Sequence, residues 1–222
     1  MTKIACLSQR PIQTLILIYL LGEKNFKFDL VIYSPIKKNN NIGSYKENDN
    51  SYETLKYQCK ILGIPIEKVS SLNSTKILRL QKKFKITAAL GLISDTIIKK
   101  KILDAFSKGI FMSHGGILPF YRGVDSNKWA YLEKSKFAGI SLIKLSKGID
   151  DGDILYVKKI LIKKKKIKDL ERELYYRHKL YLYKKIFIEL KQNKKLKFFK
   201  QKKIYHQYFK MHKLLERIVT KT

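Results

Sequence analysis

Cysteine is nearly absent from this chain. Its two residues, Cys6 and Cys59, build no disulfide framework and match no metal-ligand spacing, which suits a reducing compartment. Long apolar runs are missing too. The longest, TLILIYLL at 14–21, falls far short of the ~20 residues a membrane-spanning helix needs. The opening MTKIACLSQR lacks the charged, then apolar, then small pattern of a signal peptide, so a cytoplasmic protein with no membrane span is expected. There is no phosphate loop, no G-x-G-x-x-G, no H-E-x-x-H and no serine-nucleophile elbow, which removes the enzyme classes those motifs mark. No internal repeat is visible. What remains is 222 residues, 45% hydrophobic, enough to bury a real core as one domain or one domain with an appendage.

Acidic residues are also scarce: 18 against 48 Lys and Arg, a formal charge of +30. Such a charge has two readings. One is a polyanionic partner, nucleic acid or an anionic membrane surface. The other is a lysine-biased composition spread over solvated faces. Residues 156–222 hold 23 basic against 5 acidic side chains, so the excess is concentrated there. Those lysines interleave with apolar residues at helical spacing, and arginine, the better reader of phosphates and bases, is scarce. The second reading is therefore favoured, and nucleic acid is not the preferred partner.

Along the first two-thirds, short β-branched runs alternate with helical stretches. Strands are expected at 3–8, 28–35, 65–69, 85–93 and 109–114, with helices at 12–24, 52–62, 74–84 and 95–106. KITAALGLI at 85–93 is continuously apolar, as a parallel strand buried on both faces would be. The alternation predicts an α/β fold with a doubly wound, mostly parallel, Rossmann-like sheet and a basic helical C-terminal segment. The asparagine-rich stretch 37–50 reads as a surface loop. Residues 168–190 form a long helix in which Leu170, Leu174, His178, Leu182, Ile186 and Leu190 recur every fourth position. His178 lies on that apolar stripe and reads as a half-buried, satisfied histidine. The closing aromatics could stack on nucleic acid, but packing of Tyr205, Tyr208 and Phe209 back onto the sheet is preferred.

The chemistry concentrates in 109–155. A buried strand delivers His114 to its carboxyl end, where ligands collect in such sheets. Gly115 and Gly116 permit close approach of a ligand, Pro119 stiffens the turn, and Arg122-Gly123 closes it before a helix bearing Trp129. Arg122 reads as an anchor for the loop backbone. A second strand, 138–145, leads to KGIDDGDIL, three carboxylates around a glycine. A carboxylate beside an imidazole orients it and favours its charged form, as general acid–base chemistry near neutrality requires. The acidic turn lacks the ligand spacing of calcium loops.

The combination resembles the N-terminal catalytic domain of the 10-formyltetrahydrofolate-dependent formyltransferases. It rests on Met112-Ser113-His114, Ile117-Leu118-Pro119, Tyr121-Arg122-Gly123, Trp129-Ala130, Gly139-Ile140-Ser141 and Gly148-Ile149-Asp150-Asp151-Gly152-Asp153-Ile154. The strong match spans about a fifth of the chain. The resemblance implies formyl transfer from 10-formyltetrahydrofolate, as cosubstrate, to a primary amine, with no metal. It assigns His114 to oxyanion stabilisation and proton shuttling, and Asp150 to setting the charge and orientation of His114. It lines a pterin slot with Gly91, Leu92, Ile93, Leu118, Pro119, Lys147 and Gly148. Two positions depart from the family pattern: Met112 replaces an asparagine that donates to the formyl oxygen, and Ile143 stands where many relatives carry histidine. LSQRPIQT after the first strand has no glycine, unlike the ribonucleotide-binding loop of the glycinamide ribonucleotide enzymes. By elimination the expected acceptor is a nucleotide-linked amino sugar, as in the sugar N-formyltransferases. The alternatives are methionyl-tRNA and a catalytically impaired folate- or nucleic-acid-binding relative. Residues 1–192 are expected to form the catalytic domain and 193–222 a basic aromatic tail, with a homodimer left open.

Overall fold

The computed structural model of the chain describes residues 1–36, 50–94, 96–163, 165–201 and 206–221. The chain divides into two compact units, Met1–Met112 with Tyr183–Lys195, and Ser113–Leu182 with Leu196–Thr222. The asparagine-rich stretch lies outside the described residues except for Asn50, and so does Tyr205.

In the first unit β1 (Ile4–Ser8), β2 (Leu30–Tyr33), β3 (Ile66–Lys68), β4 (Ala88–Leu92) and β5 (Gly109–His114, to Met112 in this unit) run parallel in the order β3-β2-β1-β4-β5. Every residue of β1 and β4 is buried, which explains their unbroken apolar runs. The helices between them are α1 (Pro11–Gly22), α2 (Asn50–Ile61), α3 (Thr75–Phe84) and α4 (Lys100–Leu103). Pro11 opens α1, where its missing N–H is no loss. The Ser74 side chain caps α3, accepting from the Lys76 N–H. Strand order reverses between β1 and β4, and there Gln9 ties the two strand ends. Its N–H donates to the Leu92 carbonyl at 2.9 Å, its Nε2 to Thr96 Oγ1 at 3.0 Å, and its Oε1 accepts from the Ser94 N–H at 3.1 Å.

The helix expected over 95–106 is only the four residues of α4. The Asn73 amide explains the shortfall, because it donates to the Ile97 carbonyl and accepts from the Lys99 N–H. Those bonds hold the β-branched Thr96-Ile97-Ile98 run out of the helix.

The second unit contains β6 (Arg122–Gly123), α5 (Ser126–Leu132), β7 (Phe137–Lys144), β8 (Ile154–Leu161), α6 (Ile167–Arg172), β9 (Gln207–Tyr208) and α8 (Lys213–Lys221). β7 and β8 pair antiparallel with a bulge at Leu142/Ile143, and β6 pairs parallel with β9. α6 continues through a π-helical stretch, Glu173–His178, into α7 (Lys179–Lys191). At about 3.6 residues per turn, a strict four-residue repeat drifts by roughly 40° each step. The wider π turn takes up part of that drift, and Leu170, Leu174, Leu182, Ile186 and Leu190 all remain buried. His178 is half-buried, with Nε2 3.2 Å from Glu173 Oε1. The chain is thus an α/β protein with a doubly wound, mostly parallel sheet. Among the described residues no helix is long and apolar enough to cross a membrane.

The tail packs differently from the sequence expectation. Tyr208 stacks on Tyr121 at 5.5 Å and tilts against Trp129 at 5.6 Å, while its hydroxyl donates to Glu133. Trp129 Nε1 donates to the Phe209 carbonyl, yet the Phe209 ring itself is exposed. The tail is therefore gripped by α5 and β6, through Tyr208 and backbone, and Phe209 does not pack back onto the sheet.

Candidate active site

β5 ends at His114, whose side chain is only 6% exposed. Its Nδ1 lies 3.2 Å from Asp150 Oδ2, and its Nε2 lies 2.7 Å from the Tyr121 carbonyl oxygen, with Ser126 Oγ at 3.4 Å. Both ring nitrogens therefore face acceptors. Only the doubly protonated imidazolium donates to both; a neutral ring has one N–H for two oxygens. Gly116 makes this arrangement possible. A Cβ there would run into the Tyr121 carbonyl and sit 2.8 Å from both His114 Nε2 and Ser126 Cβ.

Asp150 stands on the connection between β7 and β8, in the left-handed region at φ 51°, where aspartate is better tolerated than most residues. Burial alone would push its carboxyl up. The His114 hydrogen bond and charge, the Gly123 N–H and the Arg122 charge oppose this and hold it below the ordinary value of 3.8. Asp150 is thus an anion facing a ring that donates to it. Arg122 is buried in β6, paired through its backbone with Gln207, and its Nε has no hydrogen-bond partner among the described residues. The connection is tightly packed: a Cβ on Gly152 would run into the Lys144 carbonyl, and Ser146 Oγ donates to the Asp151 carboxylate.

The turn after His114 is held from β7. Buried Ser141 donates from Oγ to the Gly116 carbonyl at 2.7 Å and accepts from the Leu118 N–H at 2.9 Å. Leu118 packs with Ile143 and Ile154, so Ile143 serves as core here. Ser141→Ala strands one buried N–H and one buried carbonyl. It is expected to lower unfolding stability by about 1–3 kcal/mol, read as a fall in the urea midpoint at unchanged m-value.

The remaining expected site residues divide between the units. Gly91 and Leu92 are buried in β4 and Ile93 follows half-buried, and the Gly91 carbonyl accepts from Tyr183 Oη at 2.5 Å. In the second unit Leu118 is buried, Pro119 half-buried, and Lys147 and Gly148 exposed. His114 and Asp150 are the two expected residues in direct side-chain contact. Sequence reasoning passed over the Tyr121 carbonyl, Ser126, Ser141 and Gln201. Tyr121 and Ser141 had left a signal, in Tyr121-Arg122-Gly123 and Gly139-Ile140-Ser141. Neither cysteine competes as a nucleophile, since burial pushes the Cys6 thiol up to about 12 and the Cys59 thiol up to about 11.

A histidine–carboxylate pair at a strand end can donate a hydrogen bond to a developing oxyanion and carry a proton from an attacking to a leaving nitrogen. A methionyl-tRNA formyltransferase from Finegoldia magna is 31% identical over 141 residues, 64% of this chain and 44% of that protein. The chain spans less than half the length of the curated relatives it matches, 44%, 37% and 30% for three of them. Among solved structures, an N-formyltransferase from Helicobacter canadensis, in complex with folinic acid and dTDP-3-aminofucose, superposes with a TM-score of 0.67. It is 26% identical, over 95% of this chain and 71% of that one. Phosphoribosylglycinamide formyltransferase from Anaplasma phagocytophilum has a TM-score of 0.68 at 14% identity, over 95% of this chain and 99% of that one, and so shares the fold. The formyl transferase family model matches residues 70–184, just over half the chain and inclusive of both His114 and Asp150, and the chain belongs to that family.

Proposed function

We propose that this protein transfers the formyl group of 10-formyltetrahydrofolate to a primary amine. The observation that carries the reading is the contact of buried His114, through Nδ1, with Asp150 at the end of β5, inside the matched family region. The acceptor amine attacks the formyl carbon, the carbonyl becomes an oxyanion, and the N10–carbon bond breaks as the new nitrogen–carbon bond is kept. One proton passes from the incoming to the leaving nitrogen. His114 stabilises the oxyanion and moves that proton, and Asp150 holds the ring charged and oriented. Pterin contacts fall to the backbone of Gly91, Leu92 and Ile93, and to Leu118, Pro119, Lys147 and Gly148. Residues 1–192 act as the catalytic domain, with 193–222 as its basic tail, in the cytoplasm.

The proposed acceptor is a nucleotide-linked amino sugar. Its support is the Helicobacter canadensis enzyme, which holds such a sugar and aligns with 95% of this chain. A second reading, methionyl-tRNA, is favoured by the names of the relatives and by the charge of +30. Incubation with 10-formyltetrahydrofolate and either a dTDP-amino sugar or a methionyl-tRNA, following tetrahydrofolate release, separates the two. Release with the sugar alone supports the first reading and with the tRNA alone the second. If a preparation that folinic acid stabilises against heat gives no release with any amine, formyl transfer is refuted.

A further inference from the structure

The acidic connection depends on a residue that lies 51 positions later in the chain. Gln201 directs its amide at the backbone on both sides of Asp151: Nε2 donates to the Asp150 carbonyl at 2.9 Å and to the Gly152 carbonyl at 2.7 Å. A primary amide has two N–H groups, and both are used. The reverse orientation would set an oxygen against two carbonyl oxygens, so chemistry fixes which end of the amide points inward. The segment bearing Gln201 is itself anchored two residues earlier, where Phe199 exchanges both backbone hydrogen bonds with Ile154, at 2.9 and 2.8 Å.

We propose that Gln201 is a positioning residue for the Asp150–His114 pair. Asp150 holds a left-handed backbone that an aspartate does not adopt by default. The direction of its carboxylate follows from that backbone. Clamping its own carbonyl and the one two residues on keeps Oδ2 against His114 Nδ1. Gln201 touches no reacting atom; it acts through the peptide units of the connection. The inference rests on the assignment of Asp150 to the dyad, and it gives the C-terminal segment a part in the catalytic unit.

The test is the proton between His114 Nδ1 and Asp150, followed in the full chain labelled with nitrogen-15 histidine. Four histidines make assignment by single His→Gln replacements short work. Gln201→Met keeps the length and loses both donors; Gln201→Glu keeps the shape and offers only acceptors; Gln201→Lys restores donors. Solvent exchange of the Nδ1 proton is expected to rise about tenfold or more in the Met and Glu variants and to return within about threefold of the parent in Lys. A role in packing alone would leave Glu like the parent and Lys disturbed. The proposal is overturned if the Met and Glu variants exchange as the parent does, or if Lys behaves like Met at equal melting temperature. Should Gln201→Met fail to fold, the Glu and Lys pair decides alone. Because the measurement needs no formyl donor or acceptor, absence of turnover would strike the formyl-transfer reading and leave this result to stand on exchange.

Discussion

Asp150→Asn is expected to lower kcat about 10³-fold, with KM for 10-formyltetrahydrofolate within about twofold of the parent. The amide keeps the size of the carboxylate and removes its charge. His114 Nδ1 then faces a group that can turn its own N–H toward the ring, and the ring loses the anion beside it. His114→Ala removes the donor itself, for a loss of about 10²–10⁴-fold. Because the two act as one unit, the double variant should lose little more than the worse single one. Tetrahydrofolate release under saturating donor reads all three; an undiminished kcat in either single variant would break the assignment. The pH profile supplies a second check. The folded Asp150 carboxyl sits below its ordinary value of 3.8, so the stability this gives is complete above the unfolded value. It is lost as pH falls through the lowered folded value. The parent should therefore show an acid-side loss of stability that Asp150→Asn lacks, seen as converging melting temperatures on acidification.

The parts of this molecule that were legible in the sequence are those where local chemistry and fold agree. β1 and β4 announced themselves as unbroken apolar runs because both of their faces are covered. The pairing of His114 with Asp150 was legible from the resemblance carried by the residues around each. Other features were hidden for a physical reason: they are settled by contacts between positions far apart in sequence. Asn73 unmakes the first turns of the expected helix at 96–99, from 24 and 26 residues away. β8 was not foreseen, since Lys158 and Lys159 break its alternation with two exposed charges in succession. The tail's basic and aromatic composition suggested packing through its aromatic rings. Yet Gln201 grips the Asp150 connection, and Lys128 on α5 binds Glu216 on α8 at 2.6 Å. Composition describes what a segment is made of and says little about which backbone carbonyls it will hold.

Met112→Asn is expected to raise kcat about 10²–10³-fold, the rate that one oxyanion donor contributes. In β5 residues 112 and 114 lie two apart and so share a face of the strand. A donor at 112 would thus stand on the same side as the His114 ring, where the oxyanion of the proposed reaction forms. A methionine thioether cannot donate; an asparagine amide can. The position accepts the change sterically, because Met112 is half-buried, its register partner on β4 is Gly91, and asparagine is the smaller side chain. Without substrate, however, the new amide has its hydrogen bonds only partly met, so stability should fall by about 1–2 kcal/mol. The expected signature is therefore a faster and less stable protein, with folinic acid affinity unchanged within about twofold. Loss of stability with kcat unchanged would show that another donor already serves the oxyanion and that Met112 is no deficit. A gain in kcat that disappears in the His114→Ala background would show that the two side chains act on the same oxygen.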